Sequence, residues 1–336
     1  MKKEKYVDLC KKLKNKGNHK ISSKVLNIVR RYLDDGGNKL PAIWIETNDS
    51  GDNNISFMNT TYPYLDQVFE NIIDLYYSNT FMAAQGETAY QILRNAVLRN
   101  KGEFILIIEG AIPLKENGRY NMIFITEKGP VTALEAVKWL GSMAKYVIAI
   151  GTCASFGGAS AAKPNITGSV GVRDVLDRQI INVSGCPINP DWFVGTLAHL
   201  QMYGVPALDK LGRPELFYQY TVHRHCQRRS YFDNKNFAEN LGDIECMFSQ
   251  GCVGPKTGAD CPYRLWDNHV SYPIKVNTPC IGCTNEDFPD GSSPFFVPLP
   301  KKRQQEEEEE KETEEDSVSD KEDEIQSGNK EDDIND

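Results

Sequence analysis

The chain has 336 residues, 40% of them hydrophobic and 10% aromatic, enough to bury one large or two ordinary globular cores. Its net charge of −9 is unevenly spread: residues 301–336 hold 17 acidic and 6 basic side chains, leaving 32 basic and 30 acidic residues in 1–300. A body so near neutrality offers no basic surface for nucleic acid, and no apolar run reaches the roughly 18 residues of a transmembrane helix.

Residues 1–39 read as a basic N-terminal helical extension, with Val25, Leu26, Val29 and Leu33 at helical spacing and Gly36-Gly37 ending the helix. Cys10 within it reads as a free thiol. The pair Arg30-Arg31 is followed by Tyr32 to Asn38, where an export signal needs an apolar stretch, so the chain is expected to be cytoplasmic. Leu40 to Ile45 predicts a buried strand followed by a polar loop, Thr47 to Asn54. Helical spacing recurs over 64–76 and 81–98. A second strand, Phe104 to Ile108, ends in Glu109-Gly-Ala-Ile-Pro113. A helix over 131–142 leads to a third strand, Tyr146 to Ile150, ending in Gly151-Thr-Cys-Ala154. A fourth, Ile180 to Val183, ends in Ser184-Gly-Cys-Pro187 before a helix through Trp192 to Met202.

Short apolar strands alternating with helices predict an α/β domain over 40–202, a doubly wound parallel sheet. Functional groups of such sheets gather beyond the carboxyl ends of the strands. The 47–54 loop, Glu109, Cys153 and Cys186 all follow a strand and are expected to converge. Regular structure thins out after Tyr203, so 203–300 reads as a second, irregular domain. Residues 301–336 have almost no apolar side chains and are expected to be disordered; they keep the chain soluble or, alternatively, dock a basic electron partner.

Nine cysteines, an odd number gathered around Gly and Pro, are unlike the loop-stapling pattern of small secreted domains. Six of them, Cys226, Cys246, Cys252, Cys261, Cys280 and Cys283, fall within residues 221–283, where little apolar surface is available for burial. Metal–ligand bonds can supply the missing folding free energy. Cys280 and Cys283 form a Cys-x2-Cys pair, and His223 precedes Cys226 by three residues, with His225 as its competitor. A structural zinc site is the bland alternative, but seven ligands exceed one tetrahedral ion and a three-plus-four split suits two iron–sulfur clusters. Cys153 and Cys186 read either as inert buried thiols or, with Gly151, Gly185 and Pro187 beside them, as approaches to a cofactor.

Glu109-Gly-Ala-Ile-Pro113, Gly151 to Gly158, Ala162 to Asn165, Gly185 to Phe193, His223-x-x-Cys226, Gly251 to Pro255, Asp260-Cys-Pro262 and Pro279 to Cys283 together resemble the small subunit of nickel–iron hydrogenases, from about Pro41 to Pro300. The 20 kDa subunit of respiratory complex I resembles the first domain alone. The resemblance implies a flavodoxin-like domain followed by an irregular iron–sulfur domain, with three clusters in a line. It implies a distal [4Fe-4S] cluster on His223, Cys226, Cys246 and Cys252. It also implies a medial [3Fe-4S] cluster on Cys261, Cys280 and Cys283, with Pro273 where a fourth ligand would stand. Cys153 and Cys186 match two of four proximal-cluster ligands. The nickel–iron site belongs to a separate large subunit, the implied partner, and the implied task is electron transfer in H2 oxidation or proton reduction. The electron acceptor is left unspecified by these residues.

One departure stands out. The family follows its first strand with a Cys-x2-Cys carrying the other two proximal ligands, and ungapped alignment through Trp44 and Phe57 places Ser50 and Asn53 there. Neither matches a thiolate as an iron–sulfur ligand, and Asp49 and Asp52 offer only hard oxygens. The proximal cluster is therefore expected to be absent or altered, with Cys10 a remote substitute. The alternative to a working hydrogenase subunit is a hydrogenase-like scaffold that no longer wires H2 chemistry.

Overall fold

A computed structural model describes residues 39–299 apart from 62, 267 and 268. The expected N-terminal helix, Cys10, Arg30-Arg31 and the acidic tail lie outside the described residues. The chain divides into two compact units after Val297, and the sheet and every cysteine described belong to the first.

Five parallel strands form the central sheet: β1 (Leu40–Glu46), β2 (Ile73–Ser78), β3 (Ile105–Glu109), β4 (Tyr146–Ile150) and β5 (Ile181–Val183). Their spatial order is β2-β1-β3-β4-β5, the flavodoxin-like winding, so the α/β reading stands. The strands are apolar on both faces because both faces are covered. Ala42, Trp44, Ile105, Ile107, Ile148 and Ile150 face one core, while Ile43, Ile45, Leu106, Ile108, Val147 and Ala149 face the other. On the first face lie α1 (Asp52–Met58), α2 (Leu65–Asn71) and, later in the chain, α6 (Pro190–Tyr203). On the second lie α3 (Gly86–Arg99) and α4 (Ala133–Met143), while α5 (Gly151–Phe156) begins directly where β4 ends.

The helix expected over 64–76 is corrected: only 65–71 is helical, and Ile73–Ser78 is the sheet's edge strand. Apolar residues keep helical spacing through this stretch, but hydrogen bonding of Ile73 to Ser78 along β1 outweighs it. The helix expected from 81 begins at Gly86.

The cysteine-rich segment packs on the α6 face. Phe217, Tyr218, Val222, Ala259, Cys261, Tyr272 and Ile274 share its core with Trp192 and Phe193. Trp192 joins the two layers, its ring 5.2 Å from Tyr218 and 5.7 Å from Trp266, its Nε1 donating to Asp260 at 2.7 Å. Beyond α6 the described chain holds only helices and helical turns of three to five residues. Trp192→Phe keeps most of the apolar contact but removes that donor. The expected cost is about 1–2 kcal/mol, read as a lowered thermal midpoint; an unchanged midpoint contradicts the linking role.

Candidate metal centres

Three groups of cysteines occupy neighbouring loops. The first surrounds a cavity lined by His223, Cys226, Cys246 and Cys252 with Arg228, Phe248 and Pro255. Thr221 caps the turn Val222–His225 by accepting from the Arg224 amide, and Cys226 follows directly. Cys246 caps the turn Met247–Gln250, and Gly251, left-handed at φ 82°, swings the chain back to Cys252. Arg228, 5% exposed, donates to the Asp243 and Glu245 carbonyls at 2.9 and 2.7 Å and so fixes the loop that delivers Cys246. The Cys226 sulfur receives the Arg228 amide at 3.4 Å and the Tyr272 hydroxyl at 3.9 Å. Burial, then Arg229, lowers the His223 pKa, favouring the neutral imidazole a metal requires. His225 is engaged elsewhere: its Nδ1 pairs with the Tyr263 hydroxyl and its ring lies 4.6 Å from that ring at a 58° tilt.

The second group is Cys261, Cys280 and Cys283. Cys261 opens the short helix Cys261–Arg264, which is anchored by buried Arg264 between Asp260 and Asp191 at 2.6 and 2.9 Å. Burial holds the Cys261 thiol well above its ordinary pKa, with Cys283 and Cys280 adding to the effect. Cys280 is pushed up to about 12 by burial, then by Cys252 and Cys283, so the two groups are neighbours. The Val253 amide donates to the Cys280 carbonyl at 2.9 Å across that junction.

The third group lies beyond the ends of the strands, as the parallel winding predicts. Cys153 sits in the first turn of α5 and Cys186 just after β5. Burial, then Asp52 and Cys153, raises the Cys186 thiol to about 12, and its Sγ lies 3.9 Å from Asp52 Oδ2. The two alignment positions do not join the thiols. Ser50 is exposed, and the Asn53 amide is committed, donating to Asp52 at 3.0 Å and accepting from the Ile188 amide at 3.0 Å. Glu109, fully buried, accepts at 3.1 Å from Trp44 Nε1, at 3.1 and 3.2 Å from the Asn53 and Asn54 amides, and at 2.6 Å from Asn54 Nδ2. Burial, then Asp49 beside it, still pushes its carboxyl up to about 9. Thr152 ties this group to the second, donating to the Cys283 carbonyl while accepting the Gly185 amide at 3.0 Å.

Spacing separates single ions from clusters. Among the described residues, the histidine, cysteine and carboxylate donors that converge within 4.8 Å in a set of three are Asp49, Asp52 and Glu109. A tetrahedral zinc needs thiolates only about 3.8 Å apart, from Zn–S bonds of about 2.3 Å. Among the described residues no three histidine or cysteine donors of the first two groups converge within 4.8 Å, so neither group is preformed around one tetrahedral ion. Seven donors in those groups fit multi-iron clusters; two thiols hemmed by three carboxylates do not fit a four-thiolate one. The sequence missed Arg228, Tyr272 and the Trp44 and Asn54 contacts to Glu109, none of which carries a motif.

Comparison with known proteins identifies relatives over most of the described chain. Residues 218–296 match the family model for the C-terminal domain of the NiFe/NiFeSe hydrogenase small subunit, and 51–200 match that for the 20 kDa subunit of NADH ubiquinone oxidoreductase. The periplasmic [NiFeSe] hydrogenase small subunit of Desulfomicrobium baculatum is 36% identical over 79% of this chain and 89% of its own. The periplasmic [NiFe] hydrogenase small subunit 1 of Nitratidesulfovibrio vulgaris is 40% identical over 72% and 77%. The structure of the reduced, active Desulfomicrobium baculatum Ni-Fe-Se hydrogenase superposes with a TM-score of 0.75 at 36% identity, covering 78% of this chain and all of that one. The actinobacterial-type NiFe-hydrogenase of Ralstonia eutropha gives 0.73 at 26% identity, covering 84% and 92%.

These relatives overturn the cytoplasmic expectation, since both hydrogenase small subunits named above are periplasmic. Hydropathy after one Arg-Arg pair tests for one kind of leader, not for the compartment in which the folded body works. Among the described residues no helix is long and apolar enough to cross a membrane.

Gly282 separates Cys280 from Cys283 at φ 76°, and a Cβ there would lie 2.8 Å from Asn285 Nδ2 and 2.9 Å from Val253 Cγ2. Gly282→Ala should therefore cost about 1–3 kcal/mol and release metal from this pair, read by metal analysis and thermal melting. Full metal content with an unchanged melt would show that the turn is not needed.

Proposed function

The chain belongs to the small-subunit family of nickel–iron hydrogenases, and on that footing we propose that it is the electron-transfer subunit of a heterodimer with two working clusters and an altered or missing third. The nickel–iron site lies on the separate large subunit. The observation that carries the reading is the convergence of His223, Cys226, Cys246 and Cys252 around one cavity, adjoining the buried Cys261 and the half-buried Cys280 and Cys283.

Residues 203–300 hold both complete donor sets, and 40–202 the incomplete one. His223 and the three cysteines of its cavity would hold the distal [4Fe-4S] cluster. Cys261, Cys280 and Cys283 would hold the medial [3Fe-4S] cluster, with Pro273, which donates no ligand, opening the turn Pro273–Val276 beside it. Bound clusters supply one-electron transfer at potentials set by ligand charge, burial and hydrogen bonds to sulfur. The chain sets those quantities: neutral His223 in place of a thiolate removes a negative charge, and the Arg228 amide and Tyr272 hydroxyl both donate to Cys226. Thr152 and Ser184, which donates to the Thr284 carbonyl at 2.9 Å, keep the Cys153 and Cys186 loops against Cys283.

A scaffold that binds a large subunit without wiring H2 chemistry is the second reading, favoured by Ser50 and the committed Asn53 amide. Anaerobic purification with the partner separates the two. After subtraction of the one iron of the partner's nickel–iron site, about seven irons per small subunit mean two clusters and about eleven mean three. H2 uptake with methyl viologen is expected; none, despite full nickel loading, sinks the hydrogenase reading in favour of the scaffold. The double variant Ser50→Cys/Asn53→Cys should raise iron from about seven to about eleven with a new EPR signal. Unchanged iron in that variant argues against a proximal gap made by these two positions.

A further inference from the structure

Among the described residues three arginines are buried: Arg213 at 7%, Arg228 at 5% and Arg264 at 3% exposed. Arg213 pairs with Asp209 at 2.9 Å, and Arg264 lies between Asp191 and Asp260. Arg228 differs from both, because its guanidinium donates to neutral acceptors alone. They are the Asp243 and Glu245 carbonyls, at 2.9 and 2.7 Å, and the Asn277 side-chain oxygen. The Asp243 carboxylate is turned to its own loop, accepting the Glu239 and Asn240 amides at 3.1 and 2.8 Å. No carboxylate of the described residues pairs with Arg228. A guanidinium does not give up its proton, so burying one calls for an anion close by.

What Arg228 faces is sulfur. It lines the cavity of His223, Cys226, Cys246 and Cys252, and its backbone amide donates to Cys226 Sγ at 3.4 Å. Burial raises the Cys246 and Cys252 thiols, and the Arg228 charge acts on both in the opposite sense, favouring thiolate. The charges acting most on Cys261 and Cys280 are other cysteines, so the guanidinium bears mainly on one of the two neighbouring groups. Asn277 holds the fork in place, its Nδ2 donating to the Gly242 carbonyl at 2.8 Å.

We propose that Arg228 is the counter-charge of the His223 site, raising the potential of a cluster held there by stabilising its reduced form. It rests on the reading that His223, Cys226, Cys246 and Cys252 hold the distal [4Fe-4S] cluster. One electron, supplied by H2 oxidation on the large subunit, adds one negative charge to that site. Arg228 offsets the added charge in place, so no proton has to follow the electron. Neutral His223 and cationic Arg228 act in the same sense and set this site above its neighbour in potential.

The complex with its large subunit, purified anaerobically, is titrated reductively under EPR. Arg228→Met removes the charge and should lower the reduction equilibrium of the His223 cluster roughly tenfold, about 59 mV in midpoint, while the Cys261 cluster moves less. Arg228→Lys keeps the charge without the fork and should stay within about threefold of wild type. No shift in either variant, or equal shifts in both, at about seven irons per small subunit, overturns the proposal and leaves the two-cluster reading intact. Where Arg228→Met loses iron, Asn277→Asp decides, since it keeps Arg228 and gives it a carboxylate partner. A lowered His223-cluster midpoint in that variant supports the counter-charge, and an unchanged one overturns it. Wild type with fewer than about seven irons, the partner's one iron subtracted, overturns the two-cluster reading and the proposal with it.

Discussion

Loss of water opposes ionisation of the buried thiols in the cysteine-rich half, and metal binding there has to overcome that. Cys246, Cys252, Cys261, Cys280 and Cys283 all have their pKa raised, with loss of water the largest cause in each. A sulfur so placed ionises only against a metal or strong donors. The donors on hand are few, and the Arg228 amide and Tyr272 hydroxyl at Cys226 are the clearest. A segment with helices of five residues or fewer is held by its apolar packing on α6 and by polar anchors such as Arg264, and bound metal would add to both. The iron–sulfur clusters implied by its relatives supply that metal.

The same physics accounts for the group at Cys153 and Cys186. A cluster cradle must present soft donors and keep other anions away. Here the loop after β1 presents Asp49 and Asp52, while Asn53 spends its amide on Asp52 and the Ile188 backbone. Those bonds tie the loop to the chain beyond Cys186 by ordinary hydrogen bonding, the task that a shared metal would otherwise perform. Gly151, where a Cβ would lie 2.6 Å from Asn53 Nδ2, shows how closely the new side chain is packed. Asn53 is thus bonded and packed into its surroundings.

Much of this was legible in the sequence, for identifiable reasons. Parallel strands buried on both faces read as unbroken apolar runs, so β1, β3, β4 and β5 could be found, and their ends placed Glu109, Cys153 and Cys186 together. β2 could not be found, because an edge strand of Ile, Leu and Tyr carries helical spacing as readily as strand spacing. His223 against His225 was also undecidable from spacing; the Tyr263 hydroxyl separates them in three dimensions. The compartment was misjudged because targeting is carried by a leader, whereas the folded body is what the periplasmic relatives share. Glu109 was visible as a strand-end acid, but its four donors belong only to the folded chain.

The order of the three groups then decides what a proximal change can do. Field contacts run from Cys186 to Cys283, from Cys283 to Cys280, and from Cys280 to Cys252. In the proposed reading the altered group stands at one end of that row, and Cys261, Cys280, Cys283 and the His223 cavity keep every donor in place. A break in the middle would have stranded both ends and removed the reason to keep either. A break at that end would change only how the row meets its partner, so two complete donor sets are compatible with one incomplete set in a single fold.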